Sequence, residues 1–170
     1  MISEKIQKAI NDQINAEFYS SYLYLSMAAY FEAENYKGFA TWMRIQAEEE
    51  KEHAYKLYDF VNDRGGRVVL AAIEAPPANF KSVQDVYEKT LAHEREVTAR
   101  INKLNSLALE ENDYATTAHL QWFITEQVEE EATAEDILNQ IKMVEGKADS
   151  LFYIDKHMAK RQGETADESQ

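Results

Sequence analysis

Apolar side chains recur every three or four residues along most of this chain, which is the spacing of one buried helix face. The pattern predicts four long helices and then a shorter one, at approximately 3–32, 36–63, 82–110, 113–143 and 148–160. Residues that cap helices stand at several of these ends: Ser3, Ser82 and Asp113 at starts, and Gly65 at a stop. Strand patterns are nearly absent, so we predict an all-α fold.

The connections between the helices predict how they are arranged. A few residues around Asn35 join the first and second helices, and a few around Asn112 join the third and fourth, so each pair should be an antiparallel hairpin. Residues 65–81 are long enough to join opposite ends of a bundle. We therefore predict a four-helix bundle with one long crossover and a short fifth C-terminal helix. We expect a single domain over residues 1–160 and a polar, disordered tail at 161–170.

Composition and charge narrow the functional class. At 170 residues the chain is long enough for one domain with a sizeable core. It has no cysteine, which excludes disulfides, thiolate metal sites and cysteine nucleophiles. A formal charge of −13 argues against nucleic acid and anionic membranes as partners and favours cationic ligands. No signal peptide or membrane-spanning stretch is visible, so we expect a soluble cytoplasmic protein.

Polar residues interrupt the apolar face of each long helix close to its midpoint. They are Glu17 in the first helix, Glu50 and His53 in the second, Glu94 in the third, and Gln127 and Glu130 in the fourth. Residues three apart on a helix project from the same side, so both members of each pair should face inward. Antiparallel packing then brings all of these side chains to one height in the bundle.

Four carboxylates in an apolar interior need positive charge beside them. They repel one another, and each loses hydration worth on the order of several kcal/mol. Two divalent cations would balance four glutamates, and His53 would add a neutral nitrogen donor. Oxygen-rich sites with one imidazole and no sulfur suit iron or manganese, with zinc as a competitor. Any one of these residues alone is more simply a surface or core residue, whereas coincidence on four helices indicates a metal centre.

Several segments resemble those of non-haem ferritins of the bacterial and archaeal type. They are NAEFYSSYLY at 15–24, EEEKEHA at 48–54, HE at 93–94, QWF at 121–123 and EQVEEE at 126–131. The resemblance covers residues 1 to about 160 and implies the ferritin-like bundle described above.

The resemblance also implies where iron binds. Glu17, Glu50 and His53 would hold the first iron, and Glu94 with Glu130 the second, with Glu50 bridging the two. A third iron site near the inner surface is implied by Glu49, Glu126 and Glu129, with Glu130 shared.

The implied reaction is oxidation of Fe(II) to Fe(III) by dioxygen or hydrogen peroxide at this ferroxidase centre. Besides the bridging Glu50, the resemblance implies that Gln127 lies beside the two irons and that Tyr24 hydrogen-bonds a ligand or supplies an electron. Any tyrosine in a core needs a hydrogen-bond partner, so a purely structural role is the simpler interpretation of Tyr24. The product would be stored as ferric oxyhydroxide inside a shell of 24 subunits, for iron storage and detoxification.

Two apolar segments agree with such a shell. Val68 to Leu70 in the crossover would pair across a two-fold contact. Leu151 to Ile154 in the fifth helix would be buried best against neighbouring subunits, and packing of that helix on its own bundle is the alternative.

Departures from related families narrow the prediction. Gln127-x-x-Glu130 stands where bacterioferritins carry a second Glu-x-x-His, which argues against a symmetric di-iron centre that acts as a fixed cofactor. Glu52 stands where their haem-ligating methionine would be, so no haem is expected. Two other functions stay open at this point. One is a non-catalytic metal-binding shell or scaffold, and the other is a monomeric di-metal oxidase acting on an organic substrate.

Overall fold

The computed structural model describes residues 1–144 and 147–161, and these residues form five helices and no strand. The helices are α1 (Glu4–Ala33), α2 (Lys37–Asp63), α3 (Val83–Glu110), α4 (Tyr114–Met143) and α5 (Ala148–Met158). Every boundary lies within two residues of its prediction, and the all-α fold is confirmed. Residues 162–170 of the predicted tail lie outside the described residues, so the division into domain and tail stays a prediction. No helix in the described ranges is both long and apolar enough to cross a bilayer.

Short polar side chains start three of the long helices as predicted. Each accepts a hydrogen bond from a backbone N–H in the first turn: Ser3 from Ile6, Ser82 from Asp85, and Asp113 from Thr116. These N–H groups have no partner within the helix itself, so the caps stabilise helix starts by about 1 kcal/mol each.

The first three helices end in the same way, with one residue in the left-handed region. Its φ is 62° at Asn35, 68° at Gly65 and 56° at Asn112. In each case the next N–H turns back to a carbonyl of the last helical turn, such as Gly66 N–H to Val61 O at 2.9 Å. Asn and Gly reach this conformation at least cost, which explains why the chain reverses at these points.

The predicted hairpins and crossover are all present. α1 packs along α2, and α3 packs along α4. The crossover follows α1 through polar contacts at successive heights: Gln7 with Arg67, Asn15 with Ala72, and Ser26 with Pro77. It therefore returns the chain to the opposite end of the bundle before α3 begins.

The core consists of two apolar clusters separated by a polar layer. One cluster contains Met27, Phe31 and Phe39, and the other contains Ile10 and Leu57. The 3.6-residue repeat predicts an inner face for each long helix. These faces are Ile6, Ile10, Ile14, Glu17, Ser21, Tyr24, Ala28 and Phe31 in α1; Phe39, Trp42, Gln46, Glu50, His53, Leu57 and Phe60 in α2; Val83, Val86, Thr90, Glu94, Val97, Ile101 and Leu104 in α3; and Leu120, Phe123, Gln127, Glu130, Ala134, Ile137 and Ile141 in α4. All of them are buried except Phe60, which is half-buried. The polar layer between the clusters holds the candidate metal ligands.

The fifth helix packs on its own bundle at the start of α2. Tyr36 precedes α2 and supplies no side-chain cap, but the carboxylate of Asp155 in α5 accepts from Phe39 N–H at 2.9 Å. Gly38 permits this approach, because a Cβ there would lie 1.6 Å from the backbone oxygen of Asp155. A negative charge at a helix N-terminus is also favoured by the helix dipole.

The side chains of α5 divide into two groups. Leu151 and Ile154 are buried in the chain's own core, which corrects the expectation that the whole apolar segment needs a neighbouring subunit. Phe152 and Tyr153 are exposed, at 54% and 78%. Of the four residues Leu151 to Ile154, this second pair is the one exposed for contact between copies.

Candidate metal centre

The residues predicted for the centre meet in the polar layer halfway along the bundle. All six are between 1% and 8% exposed: Glu17, Glu50, His53, Glu94, Gln127 and Glu130. Ligand atoms from Glu17, Glu50 and His53 lie within 4.8 Å of one another. Within α2, His53 Nδ1 lies 3.5 Å from a Glu50 oxygen, as their three-residue spacing requires.

Two glutamines connect to the carboxylates and were not assigned roles from the sequence. Gln46 Nε2 donates to Glu130 at 2.8 Å and to Glu50 at 3.3 Å, so one amide joins carboxylates of α2 and α4. Gln13 donates to Glu17 at 2.8 Å. Each glutamine stands four residues before an inward glutamate of its own helix, and this spacing is the sequence signal that would have found it.

Glu94 is held by two further side chains. The Tyr24 hydroxyl donates to one of its carboxylate oxygens. Gln127 Nε2 lies 3.2 Å from the other oxygen and 3.3 Å from the Glu94 carbonyl. Tyr24 is fully buried, and burial together with the negative charge of Glu94 raises the pKa of its hydroxyl well above the ordinary value. Tyr24 therefore keeps its proton and serves as a donor to Glu94.

Burial and mutual repulsion govern the ionisation of the four glutamates. Burial is the largest cause in every case, and it raises the pKa of Glu17, Glu50, Glu94 and Glu130 to about 8. A neighbouring carboxylate adds to each shift: Glu50 acts on Glu17 and Glu94, Glu130 acts on Glu50, and Glu94 acts on Glu130. The layer therefore favours either protons or cations at pH 7.

One oxygen of this layer indicates that a cation would fit among these residues. Glu17 Oε2 is buried without a hydrogen-bond partner in the described part of the chain. An unsatisfied buried acceptor costs about 1–3 kcal/mol, more when it is charged. A metal ion bound between Glu17, Glu50 and His53 would satisfy it.

The residues predicted for a third site lie around one cavity of about 290 Å³ between α2 and α4. Glu49, Glu126 and Glu129 line it, and Glu130 and His53 connect it to the main centre. Glu129 is exposed, whereas Glu49 and Glu126 are half-buried. The structure thus groups the acids of the third set, at the side of the centre that opens between these two helices.

Arg161 also lines this cavity, although the sequence placed it in the tail. Its guanidinium donates to Gln46 Oε1 at 2.8 Å and pairs with the Glu49 carboxylate. No periodicity or motif pointed to this contact, because its partners precede it by more than a hundred residues.

The other histidines of the bundle stand apart from the centre. His93 contacts the Ser20 hydroxyl at 2.7 Å, and His119 stacks on Phe60 with ring centroids 4.1 Å apart. Trp122 packs edge-on against His53 at 5.2 Å and shields one side of the imidazole. Among the bundle histidines, His53 is therefore the one that faces the carboxylates.

A buried layer of four carboxylates and one imidazole inside an antiparallel bundle has the donor set of a dinuclear carboxylate protein. Comparison with known proteins agrees with this class. Residues 7–144 match the model of the ferritin-like domain. The chain is 40% identical to the bacterial non-heme ferritin of Staphylococcus epidermidis over 161 residues, covering 95% of this chain and 97% of that protein. The non-heme ferritin of Staphylococcus aureus is 38% identical with the same coverage.

Solved structures give the same result. An open-pore ferritin from the hyperthermophilic archaeon Archaeoglobus fulgidus superposes with a TM-score of 0.94 and 49% identity. The superposition covers 95% of this chain and 100% of that one. A humanized archaeal ferritin superposes with a TM-score of 0.96 and 46% identity, over 97% of this chain and 100% of that one. The chain belongs to the ferritin family, and this membership supports a role in iron storage.

Proposed function

We propose that this ferritin oxidises Fe(II) at the buried centre and stores the ferric product inside a shell built from its own copies. One observation carries the proposal: four carboxylates and an imidazole are buried at one level, with a carboxylate oxygen that has no hydrogen-bond partner among the described residues. Four ionised carboxylates between two apolar clusters are costly unless protons or cations neutralise them.

The proposed ligands follow from the positions of the side chains. Glu17, Glu50 and His53 hold the first iron, in agreement with the separation of their donor atoms. Glu94 and Glu130 hold the second. Glu50 bridges, because it lies with Glu17 and His53 on one side and shares the Gln46 amide with Glu130 on the other. The amides of Gln46 and Gln127 then orient these carboxylates by hydrogen bonds.

The chemistry needs only the substrate iron and an oxidant. Two Fe(II) ions each give one electron to dioxygen, which takes up two protons and leaves as hydrogen peroxide. Carboxylates are hard donors, and hard donors favour Fe(III) over Fe(II). Tyr24 lies in the same layer and holds Glu94 by donating a hydrogen bond. From this position it also supplies one electron to dioxygen when the reduction needs more than the two irons give, and its phenol proton passes to Glu94.

The acids of the cavity between α2 and α4 provide the next step. Glu49, Glu126 and Glu129, with Glu130 shared, form the proposed third iron site. Because Glu130 belongs to both sites, iron leaving the centre meets new ligands before it gives up all of its old ones. The product then accumulates as ferric oxyhydroxide, which serves both storage and detoxification.

Assembly of copies would cover the apolar side chains that the single chain leaves exposed. Val69 and Leu70 of the crossover are 59% and 63% exposed, and Phe152 and Tyr153 of α5 are also exposed. Exposed apolar groups of this kind are typical of surfaces that contact other subunits. We propose a closed shell of 24 copies.

The test is stopped-flow oxidation of Fe(II) under oxygenated buffer, followed by near-ultraviolet absorbance. Glu50→Ala and His53→Ala should lose the fast phase while the particle measured by light scattering keeps its size. Glu48→Ala is the matched control, because Glu48 is the exposed neighbour in the same run of acids. Fast oxidation retained in both centre variants would overturn the assignment. Oxidation no faster than in buffer would indicate a non-catalytic shell, and a particle of one chain's mass would indicate a monomeric oxidase.

A further inference from the structure

The chain that follows α5 inserts a cation beside the metal centre. Arg161 is largely buried, with a side-chain exposure of 22%, and its guanidinium contacts two residues of α2. The same group lies over the Trp42 ring, with Cζ 4.3 Å from the ring centroid. One guanidinium therefore makes three different contacts here, with Gln46, Glu49 and the Trp42 ring.

The contact with Gln46 fixes which way that amide points. An amide has one acceptor oxygen and one donor nitrogen at opposite corners. Arg161 occupies the oxygen at 2.8 Å, and the nitrogen must therefore face Glu130 and Glu50. A flipped amide would place its oxygen against two carboxylates and its nitrogen against a cation. Arg161 thus determines that Gln46 acts as a donor to the centre.

The contact with Glu49 places the same cation in the cavity where the third iron would bind. Glu49 is 16% exposed in its side chain, and the guanidinium pairs with one of its oxygens. The cavity is lined by further acids, among them Glu126 and Glu129. A positive group already paired with Glu49 lowers the attraction of this cavity for another cation.

We propose that Arg161 is a positioning residue with two roles. It orients Gln46 for the main centre, and it competes for Glu49 with a metal ion, which displaces it on binding. The inference rests on the third site of the proposed function and adds its regulation. A metal ion that takes Glu49 must move Arg161 away, which releases the Gln46 oxygen. Occupation of the cavity then loosens the amide that holds Glu50 and Glu130, so filling the third site weakens the hold on the main pair.

Isothermal titration of the metal-free shell with Zn²⁺ alone tests the competition. Wild type should bind two ions per chain tightly and a third more weakly. Arg161→Gln should tighten the third ion by about tenfold or more, since an opposite charge at this distance shifts a carboxylate's affinity for cations by roughly that amount. Arg161→Lys keeps a charge beside Glu49 but loses the planar fork that contacts Gln46 at the same time, so it should tighten the third ion by less than Arg161→Gln does. Equal tightening in both variants would contradict competition by charge. Lys160→Gln removes the adjacent, exposed cation and should change nothing.

The outcomes separate this inference from the function on which it rests. Fewer than two tight ions in wild type would overturn the proposed function and the inference with it. Two tight ions with an unchanged third in Arg161→Gln would overturn the inference alone.

A second measurement uses the native Arg161. In a Trp122→Phe chain, Trp42 is the one remaining tryptophan of the two in the sequence. Its emission should shift with the third equivalent of Zn²⁺, as the guanidinium leaves the ring, and not with the first two. An emission unaffected by the third equivalent would contradict displacement, even if the glutamine variant fails to assemble.

Discussion

Loading the metal-free protein with metal should release protons, in a number fixed by the buried carboxyls. Four glutamates in the centre have a pKa of about 8. At pH 7 these carboxyls are then mostly protonated, whereas an ordinary carboxyl holds a proton less than about one per cent of the time. Binding two divalent ions requires all four in the ionised form. We therefore expect metal binding to release several protons per chain at pH 7 and far fewer at pH 9.

The assay is titration with two equivalents of Zn²⁺ in two buffers of different ionisation enthalpy, which gives the proton count from the difference in heat. Glu94→Gln should lower the count at pH 7 by at least one, because it removes one proton and also one charge that raises the pKa of Glu130. Glu48→Gln changes an exposed acid and should leave the count unaltered. Fewer than one proton at pH 7, or equal counts at pH 7 and pH 9, would refute the reasoning.

Three further results are expected. The folded pKa values of the centre lie above the unfolded value of 4.5, so the metal-free protein should lose stability as pH rises from about 4.5 to 8. At pH 7 the loss is about 3 kcal/mol for one group. Urea midpoints that increase between pH 5.5 and 8.5 would contradict this. Tyr24→Phe removes a hydrogen-bond donor to Glu94 and should destabilise the metal-free protein by about 1–3 kcal/mol, an effect that Zn²⁺ should reduce. Equal losses of stability with and without Zn²⁺ would exclude Tyr24 as a donor to Glu94. Gly38→Ala places a Cβ against the Asp155 backbone, so it should lower the free energy of unfolding by about 1–3 kcal/mol and expose α5 to proteases. The control Lys37→Ala should have neither effect, and an unchanged melting temperature in Gly38→Ala would rule out the close approach.

The helical pattern predicted the inner face of the bundle almost completely. A residue on a long helix has one direction, set by its place in the 3.6-residue repeat, so Glu17, Glu94 and Glu130 could be assigned to the interior from the spacing of their apolar neighbours. Their common height followed from two short turns and one long crossover. These features are local, and local patterns are what a single sequence carries.

The helical pattern could not predict contacts between segments that are distant in the sequence. Asp155 caps α2 from α5, and the need for Gly38 becomes clear only when the two backbones meet. Arg161 follows α5 in a polar stretch whose composition is that of a tail, yet its side chain reaches Gln46. No periodicity connects such pairs, because their proximity depends on how the last helix docks.

The central claim is that two iron ions bind between the four carboxylates and His53. Anomalous diffraction from crystals soaked with Fe(II) without oxygen tests it most directly. We expect two peaks about 3.5–4 Å apart, the first bound by Glu17 and His53 and the second by Glu94 and Glu130, with Glu50 between them. Glu50→Ala should weaken both peaks. Iron found only on exposed acids, with no density in the buried layer, would contradict the account.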